Sequence, residues 1–174
     1  MKKSAIITGV SGQDGAYLSK LLLKKGYRVI GGDRRAASNT FWRLKKLSVL
    51  NDVEIINLDV SEFSNIFNVI KKYKPNEIYN LAAQSFVGSS FELPLVTSDS
   101  TALGTTRILE SIKATSRDTK FYQASSSEMF GKVIETPQKE TTPFYPRSPY
   151  AVSKVYSHMM TVNYREAYNM HCSC

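Results

Sequence analysis

Just inside the chain start, the run Ser4-Ala5-Ile6-Ile7-Thr8 gives way to Gly9-Val10-Ser11-Gly12-Gln13-Asp14-Gly15, and helical periodicity follows at once. No other feature constrains the fold as much. Ser4–Thr8 is apolar and β-branched, which reads as a strand. Residues 15–25 place Tyr17, Leu18, Leu21 and Leu22 on one stripe and stop at Gly26, which reads as a helix. The glycines between them allow a tight turn and let a pyrophosphate approach the backbone. The helix N-terminus adds free N–H groups and a positive dipole end. The spacing alone is a weak signal; the strand–turn–helix context gives it weight against a plain connecting turn.

Strand and helix signals keep alternating along the chain. Residues 27–33, 53–59, 77–82 and 120–125 read as strands. Between them, Ser61 is expected to cap a helix with Phe63, Ile66, Phe67 and Ile70 on one face, ending before Pro75. Residues 97–113 read as a long helix with Leu103, Ile108, Leu109 and Ile112. Pro149 opens a last helix to about Tyr168, and residues 171–174 begin another extended segment. This alternation predicts an α/β fold, a doubly wound parallel sheet with crossover helices. Residues 135–149 hold four of the six prolines and read as a loop, long enough to carry function.

The chain has 174 residues, 42% of them hydrophobic, which suits one domain with a sizeable core. Its apolar runs are too short to span a bilayer. Met1-Lys2-Lys3-Ser4 leads straight into the first strand, so no signal peptide is expected. Cys172 and Cys174 would point to opposite faces of a strand, which disfavours a disulfide, and they match no zinc spacing. A reducing, cytoplasmic setting is expected, with no metal. The net charge of +8 raises nucleic acid as a partner, but the basic residues are dispersed and lack aromatic interleaving. A nucleotide-sized anion is the more economical partner, and no nucleic acid or membrane is expected.

The remaining chemistry falls at predicted strand ends, where ligands of doubly wound sheets bind. Asp33 could take a ribose 2′-hydroxyl, favouring NAD, whereas Arg34 and Arg35 could hold a 2′-phosphate, favouring NADP. The paired arginines tip the reading to NADP. Asp59 and Val60 follow the third strand. Leu81-Ala82-Ala83-Gln84-Ser85 follows the fourth, with small alanines that admit a cofactor to the backbone. Tyr150 and Lys154, four apart, share one helix face; a nearby ammonium favours the phenolate, so the tyrosine can serve as a base. Taken alone this pair is a chance pattern, and the glycine loop upstream gives it meaning. Ser126 could orient a substrate alcohol, and Glu128 offers a second base; a serine-rich turn is the plain alternative.

The segments Thr8-Gly-Val-Ser-Gly-Gln-Asp-Gly-Ala-Tyr-Leu18, Tyr79-Asn-Leu-Ala-Ala-Gln-Ser85, Phe121-Tyr-Gln-Ala-Ser-Ser-Ser-Glu128 and Phe144-Tyr-Pro-Arg-Ser-Pro-Tyr150 carry a resemblance over essentially the whole chain. It resembles the extended short-chain dehydrogenase/reductases, and among them the GDP-mannose 4,6-dehydratase family. The resemblance implies an NADP-binding Rossmann domain over residues 1–174, with GDP-mannose as substrate and 4,6-dehydration as the reaction. It puts cofactor contacts on Gly9, Val10, Ser11, Gly12, Gln13, Asp14, Arg34, Arg35, Asp59, Val60 and residues 81–85, with Tyr150 and Lys154. It puts catalysis on Ser126, Glu128, Tyr150 and Lys154, and substrate contacts on Ser85, Ser126, Glu128 and Tyr150. It also implies a homo-oligomer, dimer or tetramer, and a smaller substrate domain beyond residue 174, so these residues alone are expected to be inactive. Two departures stand out: the family has threonine where Ser126 stands, and chains about twice as long. A sister epimerase or reductase would share Tyr150 and Lys154 but would not need Glu128. A cofactor-binding module without catalysis is the other alternative.

Overall fold

The computed structural model describes residues 2–174. Six parallel strands form one sheet in the order β3-β2-β1-β4-β5-β6. They are β1 (Ser4–Thr8), β2 (Arg28–Asp33), β3 (Glu54–Asn57), β4 (Glu77–Asn80), β5 (Lys120–Gln123) and β6 (Cys172–Ser173). This is the doubly wound arrangement, in which the strand order reverses beside β1 and opens a crevice at the carboxyl ends. Side chains alternate along a strand, so Ile6 and Ile7 face opposite ways and each seeds a core. On one face Ile6 packs with Ile30, Ile78, Ile108, Ile112 and Phe121. On the other Ile7 packs with Val10, Ala16, Leu22, Val29 and Leu44. Each of the buried Val, Leu, Ile and Phe side chains contributes about 1.5–3 kcal/mol, so the two cores anchor β1 from both sides.

Helix α1 (Gln13–Lys24) starts two residues earlier than the periodicity suggested. It buries Gly15, Ala16, Ser19 and Leu22, while Tyr17 and Leu21 are 62% and 49% exposed. The stripe is thus rotated from the expected one. The cause lies at Gly15: a Cβ there would sit 2.6 Å from the Gly9 carbonyl oxygen and 2.7 Å from the Val10 Cα. Only the small-residue face can lie that close to the glycine turn.

Two short helices were not foreseen, α2 (Trp42–Lys46) and α4 (Val87–Glu92). Helix α3 (Phe63–Tyr73) buries Ile66 and Ile70 as expected. Its cap differs: Glu62 occupies the cap position without a side-chain bond, and the Ser61 hydroxyl instead donates to Asp59 Oδ1 at 2.6 Å. The helix expected over residues 97–113 is composite, built from α5 (Pro94–Thr97), a π-helical segment (Ser98–Leu103) and α6 (Gly104–Thr115). Gly104 faces Val60, where a Cβ would come within 3.1 Å, so the helix lies against the end of the β3 connection.

Helix α7 (Pro149–Tyr168) has the predicted bounds. Ser148 Oγ accepts the Ala151 N–H at 3.1 Å, and Pro149 sits where its missing N–H costs nothing. Residues 130–148 hold no helix or strand, in keeping with the expected loop. β6 pairs with β5; Cys172 is buried in the core, Cys174 is exposed, and neither forms a disulfide. Among the described residues no helix is long and apolar enough to cross a membrane.

Candidate active site at the carboxyl edge of the sheet

The glycine turn forms one wall of the crevice. Gly9 has φ +68°, and a Cβ there would lie 3.0 Å from the Ala82 nitrogen. Only glycine reconciles this left-handed conformation with that approach. The Gly9 N–H donates to Gly32 O at 2.9 Å, and the Gly12 N–H donates to Gly9 O at 3.0 Å, which closes the turn. Arg43 of α2 reaches back to donate to Ser11 O at 3.2 Å. The first turn of α1 carries no side-chain cap on its free N–H groups, so it remains available to an anion.

A cavity of about 440 Å³ opens in front of this turn. It brings together Gly9, Ser11, Gly12, Arg34, Asp59, Val60 and residues 81–85, all expected from the sequence as cofactor contacts. Gln13 and Asp14 are exposed on α1 outside it, and Val10 turns its side chain into the core, leaving only its backbone near the turn. Asp33 also lines the cavity, but its carboxylate is engaged: Oδ1 accepts the Arg34 N–H at 3.1 Å and Oδ2 accepts the Thr40 hydroxyl at 3.3 Å. An adjoining concavity of about 620 Å³ is lined by Arg34, Arg35, Asn57, Asp59, Glu62 and Asn65. Burial works to raise the Asp59 carboxyl, yet the Ser61 hydroxyl and N–H and the Arg34 and Arg107 charges more than offset it and hold it below the usual range.

The second group sits where β5 ends and α7 begins. Ser126 follows β5 and caps the short 3₁₀ turn Ser127–Met129, its Oγ accepting the Glu128 N–H at 3.2 Å. Glu128 is exposed, and its carboxylate has no hydrogen-bond or ion-pair partner among the described residues. Tyr150 and Lys154 lie on one face of α7, 8% and 4% exposed, with the ammonium 5.8 Å from the phenol ring centroid. Lys154 Nζ donates to the Ala124 carbonyl at 2.8 Å. Burial pushes this amine down to about 8. None of these four residues lines the 440 Å³ cavity, so the site has two parts along one edge of the sheet.

Sequence reasoning missed the polar groups beneath this edge. Thr8, Asn80, Thr105, Gln123 and Ser157 are all buried and joined by hydrogen bonds. The available signal was an amide at the last, inward-facing position of each of two strands, Asn80 in β4 and Gln123 in β5. Below Ser126, Ser125 Oγ lies 3.2 Å from His158 Nδ1. Burial, with Arg165 nearby, keeps that imidazole below its ordinary range.

The family model for GDP-mannose 4,6 dehydratase matches residues 6–174. The GDP-mannose 4,6-dehydratase of Vibrio cholerae is 51% identical over 180 residues, covering 98% of this chain and 48% of that protein. Human GDP-mannose 4,6 dehydratase is 46% identical over 174 residues, covering 95% of this chain and 47% of its own length. The chain therefore spans about half the length of the curated relatives it matches. Among solved structures, the UDP-Glc/GlcNAc 4-epimerase of Campylobacter jejuni superposes with a TM-score of 0.89 at 22% identity, over 99% of this chain and 52% of that one. DesIV, a dTDP-glucose 4,6-dehydratase of Streptomyces venezuelae, gives 0.84 at 21% identity, over 96% of this chain and 53% of its own. These two share the Rossmann fold seen here. The sequence matches go further than the fold, and on them the chain belongs to the GDP-mannose 4,6-dehydratase family.

Proposed function

We propose that the protein acts as a GDP-mannose 4,6-dehydratase, removing water from GDP-mannose to give GDP-4-keto-6-deoxymannose, with NADP as a regenerated hydride carrier. The observation that carries this reading is Glu128. Its carboxylate is unpartnered and exposed, two residues past Ser126, on the edge that also holds Tyr150 and Lys154. An enzyme that stops at hydride transfer has no need of that second base.

A dinucleotide suits the crevice because the turn is shaped by absent side chains. Gly9, Ser11 and Gly12 would hold the pyrophosphate, and Arg34 and Arg35 would hold a 2′-phosphate in the adjoining concavity. Asp33 already accepts from Thr40 and the Arg34 N–H, which leaves it less free to take a ribose diol than an unpartnered carboxylate and favours NADP over NAD. Lys154 would hold the nicotinamide ribose. When bound, NADP supplies the hydride acceptor and donor of the cycle.

The chain's own residues supply the proton chemistry. Tyr150 takes the proton of the C4 hydroxyl. Ser126, whose oxygen accepts from Glu128 N–H, keeps its own proton free to hold the C4 oxygen. The C4 ketone acidifies the C5 proton, Glu128 removes it, and the C6 hydroxyl leaves as water with the proton that Glu128 returns; C5 then takes a proton from solvent as C6 accepts the returned hydride, and Tyr150 releases its proton to solvent. Ser85 lines the crevice as a further substrate contact.

Val152, Tyr156 and Met159 are exposed on one face of α7 and support association into a dimer or tetramer. The two free thiols suit the cytoplasm. The direct test is to incubate the whole gene product with GDP-mannose and NADP and follow the substrate by mass spectrometry. Conversion to a species lighter by one water supports the reading; unchanged substrate rejects it.

A further inference from the structure

A line of buried polar groups starts beside the cavity and ends on Lys154. Thr8 Oγ1 accepts the N–H groups of Leu81 and Ala82, each at 3.1 Å, and donates to Asn80 Oδ1 at 2.7 Å. Asn80 Nδ2 donates to Gln123 Oε1 at 2.7 Å. Gln123 Nε2 donates to the Ala124 carbonyl at 3.1 Å. That oxygen is the one that accepts from Lys154 Nζ at 2.8 Å. Asn80 and Gln123 are 2% and 1% exposed.

Strand pairing does not require these amides, because the β4–β5 ladder is made by backbone groups. Apolar side chains of the same size would fill the space without the cost of burying polar groups. The arrangement makes sense through its last link. A carbonyl oxygen has two lone pairs. Donation from Gln123 occupies one and fixes the direction in which the other meets the Lys154 ammonium.

We propose that Gln123 is a positioning residue for the Tyr150–Lys154 pair: it pins the Ala124 carbonyl that holds Lys154 and, through Asn80 and Thr8, ties that carbonyl to the backbone of residues 81 and 82. The proposal rests on the reading of Tyr150 and Lys154 as working groups of the enzyme. It adds a residue that touches neither substrate nor cofactor and acts only through Lys154.

The test follows the reactivity of Lys154 with trace acetic anhydride against pH, read by mass spectrometry of the peptide that contains it, in the whole gene product. Gln123→Leu and Gln123→Met remove the donor and keep the volume. Thr161→Val breaks a buried hydroxyl bond on α7 (to Ser157 O, 2.7 Å) that does not reach Ala124, and so controls for loosening of the helix. With the pin gone, Ala124 O meets the ammonium less well and supports its charged form less, so the labelling midpoint falls by about half a pH unit in the Gln123 variants and stays in place in Thr161→Val. Turnover falls about tenfold at nearly constant KM, short of the hundredfold that a misplacement of about 1 Å costs.

A midpoint that stays in place or moves up in the Gln123 variants overturns the proposal. So does an equal fall in Thr161→Val, and so does failure of both Gln123 variants to fold while Thr161→Val folds. Failure of the parent reading shows elsewhere: Lys154→Met would then keep full turnover.

Discussion

The ammonium of Lys154 lies 2.8 Å from the carbonyl oxygen of Ala124, the first residue past β5. That contact, together with the Ser125–His158 pair, joins the helix carrying Tyr150 to the strand end carrying Ser126 and Glu128. It also sets a titration. Burial holds Lys154 at about 8 against an ordinary value of 10.5. Between those two pH values the unfolded chain binds the extra proton, so this group makes stability rise with pH across that window. Lys154→Met, which removes the buried charge, is therefore expected to raise Tm at pH 7 by about 2–4 °C for each kcal/mol recovered. The gain should shrink as pH climbs from 8 towards 10. Thermal unfolding of both proteins across that range checks this, and a constant gap contradicts it.

The closest backbone approach in the glycine turn is at Gly15. Gly15→Ala puts a Cβ 2.6 Å from Gly9 O and 2.7 Å from Val10 Cα, and neither atom belongs to a side chain that could swing away. We expect a loss of about 2–3 kcal/mol, the upper range for overpacking. Denaturant unfolding should show it, and binding of a dinucleotide should be lost with it. Gly26 has open space around it, and its φ of +82° makes Gly26→Ala a strained but local change. Its cost should be about 1–2 kcal/mol, with binding retained.

Arg34 and Arg35 face the concavity beside the main cavity. Changing both to alanine removes the proposed charge-assisted bonds to a 2′-phosphate, so NADP affinity should fall about 10- to 100-fold or more, while NAD affinity stays nearly constant. Calorimetric titration with each dinucleotide separates the two. Equal losses would mean that the arginines are solvated surface charges.

Glu128→Gln keeps the shape of the turn and removes the proposed base. Removal of a general base costs about 10²–10⁴-fold. Dehydration in the whole gene product should fall by that factor, and exchange of the C5 hydrogen with deuterated solvent should fall with it. Undiminished exchange would place the base on another residue.

Much of the molecule was legible in the chain. The glycine turn could be read because strand, turn and helix are contiguous, and the start of α7 could be read because Pro149 opens it. What failed did so for tertiary reasons. The α1 stripe was misplaced because Gly15 must face the Gly9 turn, a contact invisible to periodicity. The π-helical turn at Ser98–Leu103 keeps helical spacing on both sides, so the pattern merged three pieces into one. At the site, the candidates read from the sequence all sit on contiguous motifs. The Thr8–Asn80–Gln123 line was missed, because its members come from three strands and meet only when β1, β4 and β5 align.

The course of one hydrogen tests the proposed dehydration most directly. GDP-mannose carrying deuterium at C4 should, with the whole gene product and a trace of NADP, give a 4-keto product whose deuterium has moved to C6 within the same sugar. That result requires a retained carrier, a base at C4 and loss of water between the two carbons. A product with deuterium still at C4, with none at C6, or with its water retained would contradict the assignment of Tyr150 and Glu128 to the two halves of one dehydration.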